Sequence, residues 1–176
     1  MNRDSLAGIR VATLAGEEFQ RLERLAELVD AAVDPATRDF NYDVLHAGDL
    51  RADEFMNRLS ELVPTYPMMA ERRVIVVRDF DQLHPETRKK AAAVIAKTPE
   101  TTLVIVEGEK AALSPKPPAS ALWAESFKKI YENALPPWIK ARFSRRGKRA
   151  TDGAVGLLIN NVGDGLRELD GEIEKI

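Results

Sequence analysis

The spacing of apolar positions changes repeatedly along the chain, and each change predicts an element. Gly8-Ile-Arg-Val-Ala-Thr-Leu14 is short, apolar and partly β-branched, which predicts a strand ending at Gly16. From Glu17 to Val33 the apolar residues Leu22, Leu25, Leu28, Val29 and Ala32 fall at helical spacing, and Asp34-Pro35 ends the helix. Phe40, Tyr42 and Val44 alternate with polar residues and predict a half-buried strand, followed by a turn at Gly48-Asp49. Leu50 to Val63 predicts a second helix with Phe55, Leu59 and Leu62 on one face, broken by Pro64-Thr-Tyr-Pro67. Val74-Ile-Val-Val77 and Leu103-Val-Ile-Val106 are uninterrupted apolar runs, the pattern of strands covered on both faces. Between them, His84-Pro85-Glu86 opens a helix that runs through Ala91, Val94 and Ile95 to near Pro99. Phe127 to Tyr131 is read as a fifth strand. Alternating strands and helices predict an α/β unit with a mainly parallel sheet.

The pattern changes at Leu135-Pro-Pro-Trp138, after which no strand signal remains. Trp138 to Arg146 predicts a helix ending at Gly147. Thr151-Asp152 caps another over Ala154 to Val162, closed by Gly163. Asp164 opens a third, with Leu166, Leu169, Ile173 and Ile176 spaced by three or four. The division expected is therefore an α/β domain over residues 1–134 and a three-helix domain over 135–176. The last helix stops on an apolar residue, which suggests that the sequence is part of a longer protein.

Composition narrows the chemistry. The 176 residues are 44% hydrophobic and 31% charged, with net charge −2, so any basic surface must be local. There is no cysteine and there are only two histidines, His46 and His84, which excludes disulfides, thiolate metal sites, a cysteine nucleophile and a histidine-rich metal centre. The absence of cysteine and of a signal-type N-terminus leads to the expectation of a cytoplasmic protein. No apolar run approaches the ~20 residues of a membrane helix.

Four constellations bear on function. The first is the turn Leu14-Ala-Gly-Glu-Glu-Phe19, which stands where an α/β nucleotide-binding protein carries its phosphate loop. It lacks the lysine and the hydroxyl such a loop needs, and Glu17 and Glu18 repel a polyphosphate. Gly147-Lys148 follows no strand and does not replace it. The second is Arg78-Asp79-Phe80-Asp81 after the apolar strand. Asp79 and Asp81 define an alternative reading, a Mg²⁺-dependent phosphohydrolase or nucleotidase, but Arg78 puts a cation where the metal acid belongs. Acids after a strand also serve as turn and cap residues. There is no Gly-x-Ser-x-Gly elbow, and neither histidine has a serine partner by local spacing. The third is Pro64-Thr-Tyr-Pro-Met-Met-Ala-Glu71. Met68 and Met69 either tuck into the core or project as an apolar plug for a partner, and periodicity does not choose between these. The fourth is the run Lys140, Arg142, Arg145, Arg146, Lys148 and Arg149, a phosphate-contacting surface or a solvated helix end.

Taken in order, Gly16-Glu17-Glu18, Phe40-Asn-Tyr-Asp43, Pro67-Met-Met-Ala-Glu-Arg-Arg-Val-Ile-Val-Val-Arg78, Thr102-Leu-Val-Ile-Val106, Leu135-Pro-Pro-Trp-Ile139, Gly147-Lys-Arg149 and Val162-Gly-Asp-Gly-Leu-Arg-Glu-Leu169 resemble the N-terminal part of the bacterial DNA polymerase III delta subunit family. The resemblance implies an AAA+-like (RecA-type) sheet domain followed by a helical lid. It implies a non-catalytic subunit without a cofactor, whose degenerate nucleotide site would comprise Gly16, Glu17, Arg78 and Asp79. In that family an apolar pair before the third strand docks on the ring-shaped sliding clamp. The matching positions are Met68 and Met69, with Pro67, Tyr66 and Arg72 framing them; many relatives carry leucine or phenylalanine there. Phe19-Gln-Arg21 also departs from a more apolar family stretch. The same resemblance implies primed DNA as a partner in the complex, and the basic run offers Arg142, Arg145, Arg146 and Lys148 as weak contacts to it. It further implies assembly with gamma/tau and delta-prime subunits through a collar domain that these residues do not include, and no membrane.

Overall fold

The computed structural model describes residues 6–176. The chain divides into two compact units, Met1–Phe127 and Lys128–Ile176. In the first, β1 (Val11–Gly16), β2 (Tyr42–His46), β3 (Arg73–Arg78), β4 (Thr102–Gly108) and β5 (Leu122–Phe127) form one five-stranded sheet. Its order is β2-β3-β4-β1-β5, and every neighbouring pair is parallel. The helices are α1 (Glu18–Ala32), a single turn α2 (Arg38–Asn41), α3 (Ala52–Leu62) and α4 (Pro85–Ile95).

The apolar runs are continuous because both faces of the sheet are covered. Ile75 and Val77 of β3 and Val104 and Val106 of β4 join a core with Phe55 and Leu59 of α3 and Ala91, Ala92 and Ile95 of α4. The intervening Val74, Val76, Leu103 and Ile105 join the other core with Leu25, Leu28 and Val29 of α1. Strand period two thus sends alternate side chains to two separate cores. The register sets Val77 beside Val106 and Val11 beside Val104, so the carboxyl ends of β1, β3 and β4 lie together at one edge.

Two expectations need correction. The fifth strand is Leu122–Phe127, not Phe127 to Tyr131. Leu122 packs on one core and Trp123 and Phe127 on the other, whereas Tyr131 is exposed. Lys128 and Lys129 would have put two ammonium groups where β5 lies beside the buried β1. The second correction concerns Phe40. Asp34 caps a short 3-10 turn through the Ala36 amide, the chain continues into α2, and the strand begins only at Tyr42. The helical turn reverses the expected inside and outside: Phe40 is 57% exposed and Asn41 is buried.

The second unit is α5 (Leu135–Arg145), α6 (Asp152–Val162) and α7 (Leu166–Lys175), packed pairwise. Pro136 and Pro137 occupy the first turn of α5, where a missing N–H costs nothing. The Thr151 hydroxyl accepts the Ala154 amide at 3.2 Å and caps α6. Leu135, Ile139, Phe143, Val155, Leu166, Leu169 and Ile173 are its buried apolar residues.

Candidate functional site

Two places on the first unit carry the residues singled out by sequence. One is the carboxyl edge of the sheet. There β1 ends at Gly16, whose φ of +99° suits glycine, and a Cβ would stand 2.0 Å from the Phe127 carbonyl oxygen of β5. Glu17 then caps α1 with its own side chain, Oε1 accepting the Phe19 amide at 3.0 Å and Oε2 the Gln20 amide at 2.9 Å. A helix N-terminus following a strand is a ready anion site, and here an internal carboxylate occupies it.

Behind this turn lies a buried charge cluster. Glu107, at the end of β4, is fully buried. Its Oε2 accepts the Arg21 Nε at 2.6 Å, and its Oε1 accepts the Arg78 Nε at 2.9 Å and the Asp79 amide at 3.1 Å. Arg21 also donates to the Gly16 carbonyl at 2.6 Å, tying the cluster to the turn. One buried carboxylate meets two guanidiniums, Arg21 buried and Arg78 half-buried, and its position follows from strand parity. Residues 74, 76 and 78 share a face of β3, and residues 103, 105 and 107 share the corresponding face of β4, towards α1.

Arg78, Asp79, Gly16 and Glu17 lie at this sheet edge, where Glu107 bonds Arg78 and the Asp79 amide and Arg21 ties Glu107 to the Gly16 carbonyl. The apolar run ends at Val106, but β4 continues to Gly108 and so includes Glu107. Its signal was parity: an acid on the core-facing side of a fully covered strand requires a buried cation. Asp79 is left-handed at φ 56°, and its backbone N–H donates a hydrogen bond to Glu107 Oε1. The Asp81 carboxylate lies against Gly108, where an added Cβ would meet Oδ1 at 2.0 Å. Among the described residues no group of three or more His, Asp or Glu side chains is placed to hold a metal ion.

The other place is the loop between α3 and β3. Met68 is 56% exposed, Met69 88% and Tyr66 79%, so this apolar group projects. Pro67 is half-buried. The loop is fixed from below by Asn41, whose Oδ1 accepts the Met68 amide at 2.7 Å and whose Nδ2 donates to the Met68 carbonyl at 2.8 Å. Met69 takes φ +54°. Arg72 does not extend outwards with the methionines. Its guanidinium donates to the carbonyls of Leu6 (3.1 Å) and Ile9, and burial lowers its pKa. It is a tie between the loop and the chain before β1. Met69 also lines a cavity of about 680 Å³ with Asp34, Glu71 and Glu100.

The basic run of the second unit separates into inner and outer members. Arg142 is buried, 3.2 Å from Asp170 and 5.0 Å above the Trp138 ring. That contact removes it from the surface expected of it, because burial and the paired aspartate commit the guanidinium to the unit's interior. Arg146 shares Asp170 at 3.1 Å, while Arg145 and Lys148 are exposed.

With this geometry in place, the class of fold is clear: an all-parallel five-stranded sheet with flanking helices, an AAA+-like fold. No family model matches the sequence, and no curated protein matches it significantly. Among solved structures, the chain is similar to the Bacillus subtilis DNA clamp loader delta protein, with a TM-score of 0.68 and 19% identity over 98% of this chain and 55% of that one. It is also similar to a DNA polymerase III gamma subunit-related protein from Thermotoga maritima, with a TM-score of 0.58 and 11% identity over 98% of this chain and 56% of that one. The chain thus spans little more than half the length of either.

Replacing Glu107 by glutamine removes the charge but keeps the shape. It leaves Arg21 and Arg78 facing each other without a counter-ion, and the expected loss of stability is about 3–5 kcal/mol. Urea denaturation followed by circular dichroism measures it, and a loss under about 1 kcal/mol would show that the cluster is solvated like a surface pair.

Proposed function

We propose that this chain is the clamp-binding part of a clamp-loader subunit and works without hydrolysing ATP. The observation that carries the proposal is the projection of Met68 and Met69, with Tyr66, from a loop on an AAA+-like sheet. Two adjacent unbranched thioethers are 56% and 88% exposed on a backbone held from below. Such side chains adapt to an apolar pocket and lose little by leaving solvent. Met69 keeps a left-handed backbone, which for a residue with a Cβ costs about 1–2 kcal/mol. Strain retained at an exposed apolar tip is consistent with selection for presentation.

Mechanically, the methionines enter an apolar pocket of one subunit of a ring-shaped sliding clamp, framed by Pro67 and Tyr66. Arg72 supports the loop through the Leu6 and Ile9 carbonyls. Binding favours a ring conformation that does not close, so opening is a shift of population with no covalent step. In this reading nucleotide chemistry belongs to sibling subunits. Supporting it are the Glu17 carboxylate on the α1 amides and the Arg78 guanidinium bound to Glu107. The phosphohydrolase alternative through Asp79 and Asp81 finds no such support, since the Asp79 main chain is engaged by Glu107 and the Asp81 carboxylate abuts Gly108.

In the assembled loader, Arg145, Arg146 and Lys148 contact the phosphate backbone of primed DNA, with Arg142 orienting α5 from within through Asp170.

Two outcomes test these assignments. The double substitution Met68→Ala with Met69→Ala is expected to weaken binding to the purified clamp of the same organism by about 2–4 kcal/mol, read by surface plasmon resonance. An unchanged dissociation constant removes the pair from the interface. For DNA, reversing Arg145 and Lys148 to glutamate is expected to lower affinity for primed duplex and to flatten the salt dependence by roughly 0.9 log unit per lost phosphate contact. Identical salt slopes for the two proteins would exclude α5 from the DNA surface.

A further inference from the structure

Asn41 is buried to 2% exposure, yet it belongs to a single helical turn between a loop and an edge strand. Both N–H groups of its side-chain amide, and its oxygen, are engaged. Oδ1 accepts the Met68 N–H at 2.7 Å, and Nδ2 donates to the Met68 carbonyl at 2.8 Å and to the Thr37 carbonyl at 3.1 Å. Both main-chain groups of Met68 are thus bound by one side chain, the pairing that a neighbouring strand would otherwise supply. The donor N–H of Met68 must face the oxygen, so the amide orientation is determined by the contact itself. The turn is anchored in its own right: Arg73 donates to the Phe40 carbonyl at 3.1 Å and pairs with Asp43 at 2.5 Å.

We propose that Asn41 is the positioning residue of the methionine loop: its side-chain amide replaces a strand partner, fixes the main chain of Met68, and holds Met69 in its left-handed conformation with its side chain outward. This assignment rests on the reading of Met68 and Met69 as the partner-binding pair. The chemistry required at position 41 is narrow. Alanine offers no hydrogen bond. Aspartate keeps the acceptor but turns a carboxylate oxygen towards the Met68 and Thr37 carbonyls, which repel it. Glutamine is one methylene longer, so its amide is displaced from the positions that meet the Met68 N–H and carbonyl. Without the amide, the loop samples other conformations, and the bound form must be selected from a smaller population.

The experiment compares four proteins against the purified clamp of the same organism: the natural chain, Asn41→Ala, Met68→Ala with Met69→Ala, and the triple variant. Asn41→Ala is expected to weaken binding about 5–30-fold, the equivalent of one or two lost hydrogen bonds, while the circular dichroism spectrum is retained. The same substitution is expected to add nothing in the background lacking both methionines. If the methionine pair matters but Asn41→Ala binds as well as the natural chain, the positioning role is overturned and the pair stands. If the methionine pair itself has no effect, the underlying reading falls instead. Hydrogen exchange gives an answer independent of any variant and of the clamp: in the natural chain the Met68 amide is expected to exchange at least tenfold more slowly than an unprotected amide in the same local sequence. A freely exchanging Met68 amide would overturn the proposal even if Asn41→Ala failed to fold.

Discussion

The carboxyl edge of this sheet depends on one buried ion cluster. Glu107 sits out of solvent between Arg21 and Arg78, and through them it joins the end of β4, the end of β3 and the first turn of α1. A carboxylate in such a place is tolerated only because each of its oxygens is met by a guanidinium, and the guanidiniums in turn need the carboxylate. This constraint decides what the edge can be. Phosphate-binding sheets keep cations and open amides there for a ligand. Here the cations are bound to Glu107 and the α1 amides of Phe19 and Gln20 to Glu17, so the protein's own acids stand where a ligand's charge would.

The opposite emphasis governs the methionine loop. Nothing there is charged inwards except Arg72, which is tied to two main-chain carbonyls. The tip is apolar, exposed and carried on main chain that a buried asparagine fixes. A rigid base with adaptable side chains is a favourable combination for docking, because the ordering cost of the backbone is met before the partner arrives. The fold thus combines a sheet edge closed by internal charge with a loop left open to contact.

Much of the fold was legible in the sequence because its period is strong. The runs 74–77 and 103–106 have the continuous apolar character that only a doubly covered parallel strand needs, and they lie where β3 and β4 are. The failures come from places where local pattern and tertiary environment part. Phe40, Tyr42 and Val44 alternate as a strand does, but the Asp34 cap and the helical turn after it start the strand later and bury Asn41 in place of Phe40. Leu122 to Phe127 shows no clean alternation because this edge strand sends Leu122 to one core and Trp123 and Phe127 to the other while Ala124 and Ser126 are exposed. Of the candidate site, the exposure of Met68 and Met69 could not be read from spacing at all. Glu107 and Asn41 were missed because their roles lie in partners 29 and 27 residues away, at Arg78 and Met68. Arg142 was misread because a basic run gives no sign of which member faces Asp170.

The central claim is that the two exposed methionines form the partner-binding tip, and methyl spectroscopy tests it at the atoms concerned. The chain has four methionines, and with ¹³C-labelled methyl groups each gives one resonance. On addition of the purified clamp, the account expects the Met68 and Met69 signals to shift or broaden together, while Met56, packed against the core of the sheet domain, stays in place. A clamp that binds with the Met68 and Met69 signals unmoved would contradict it.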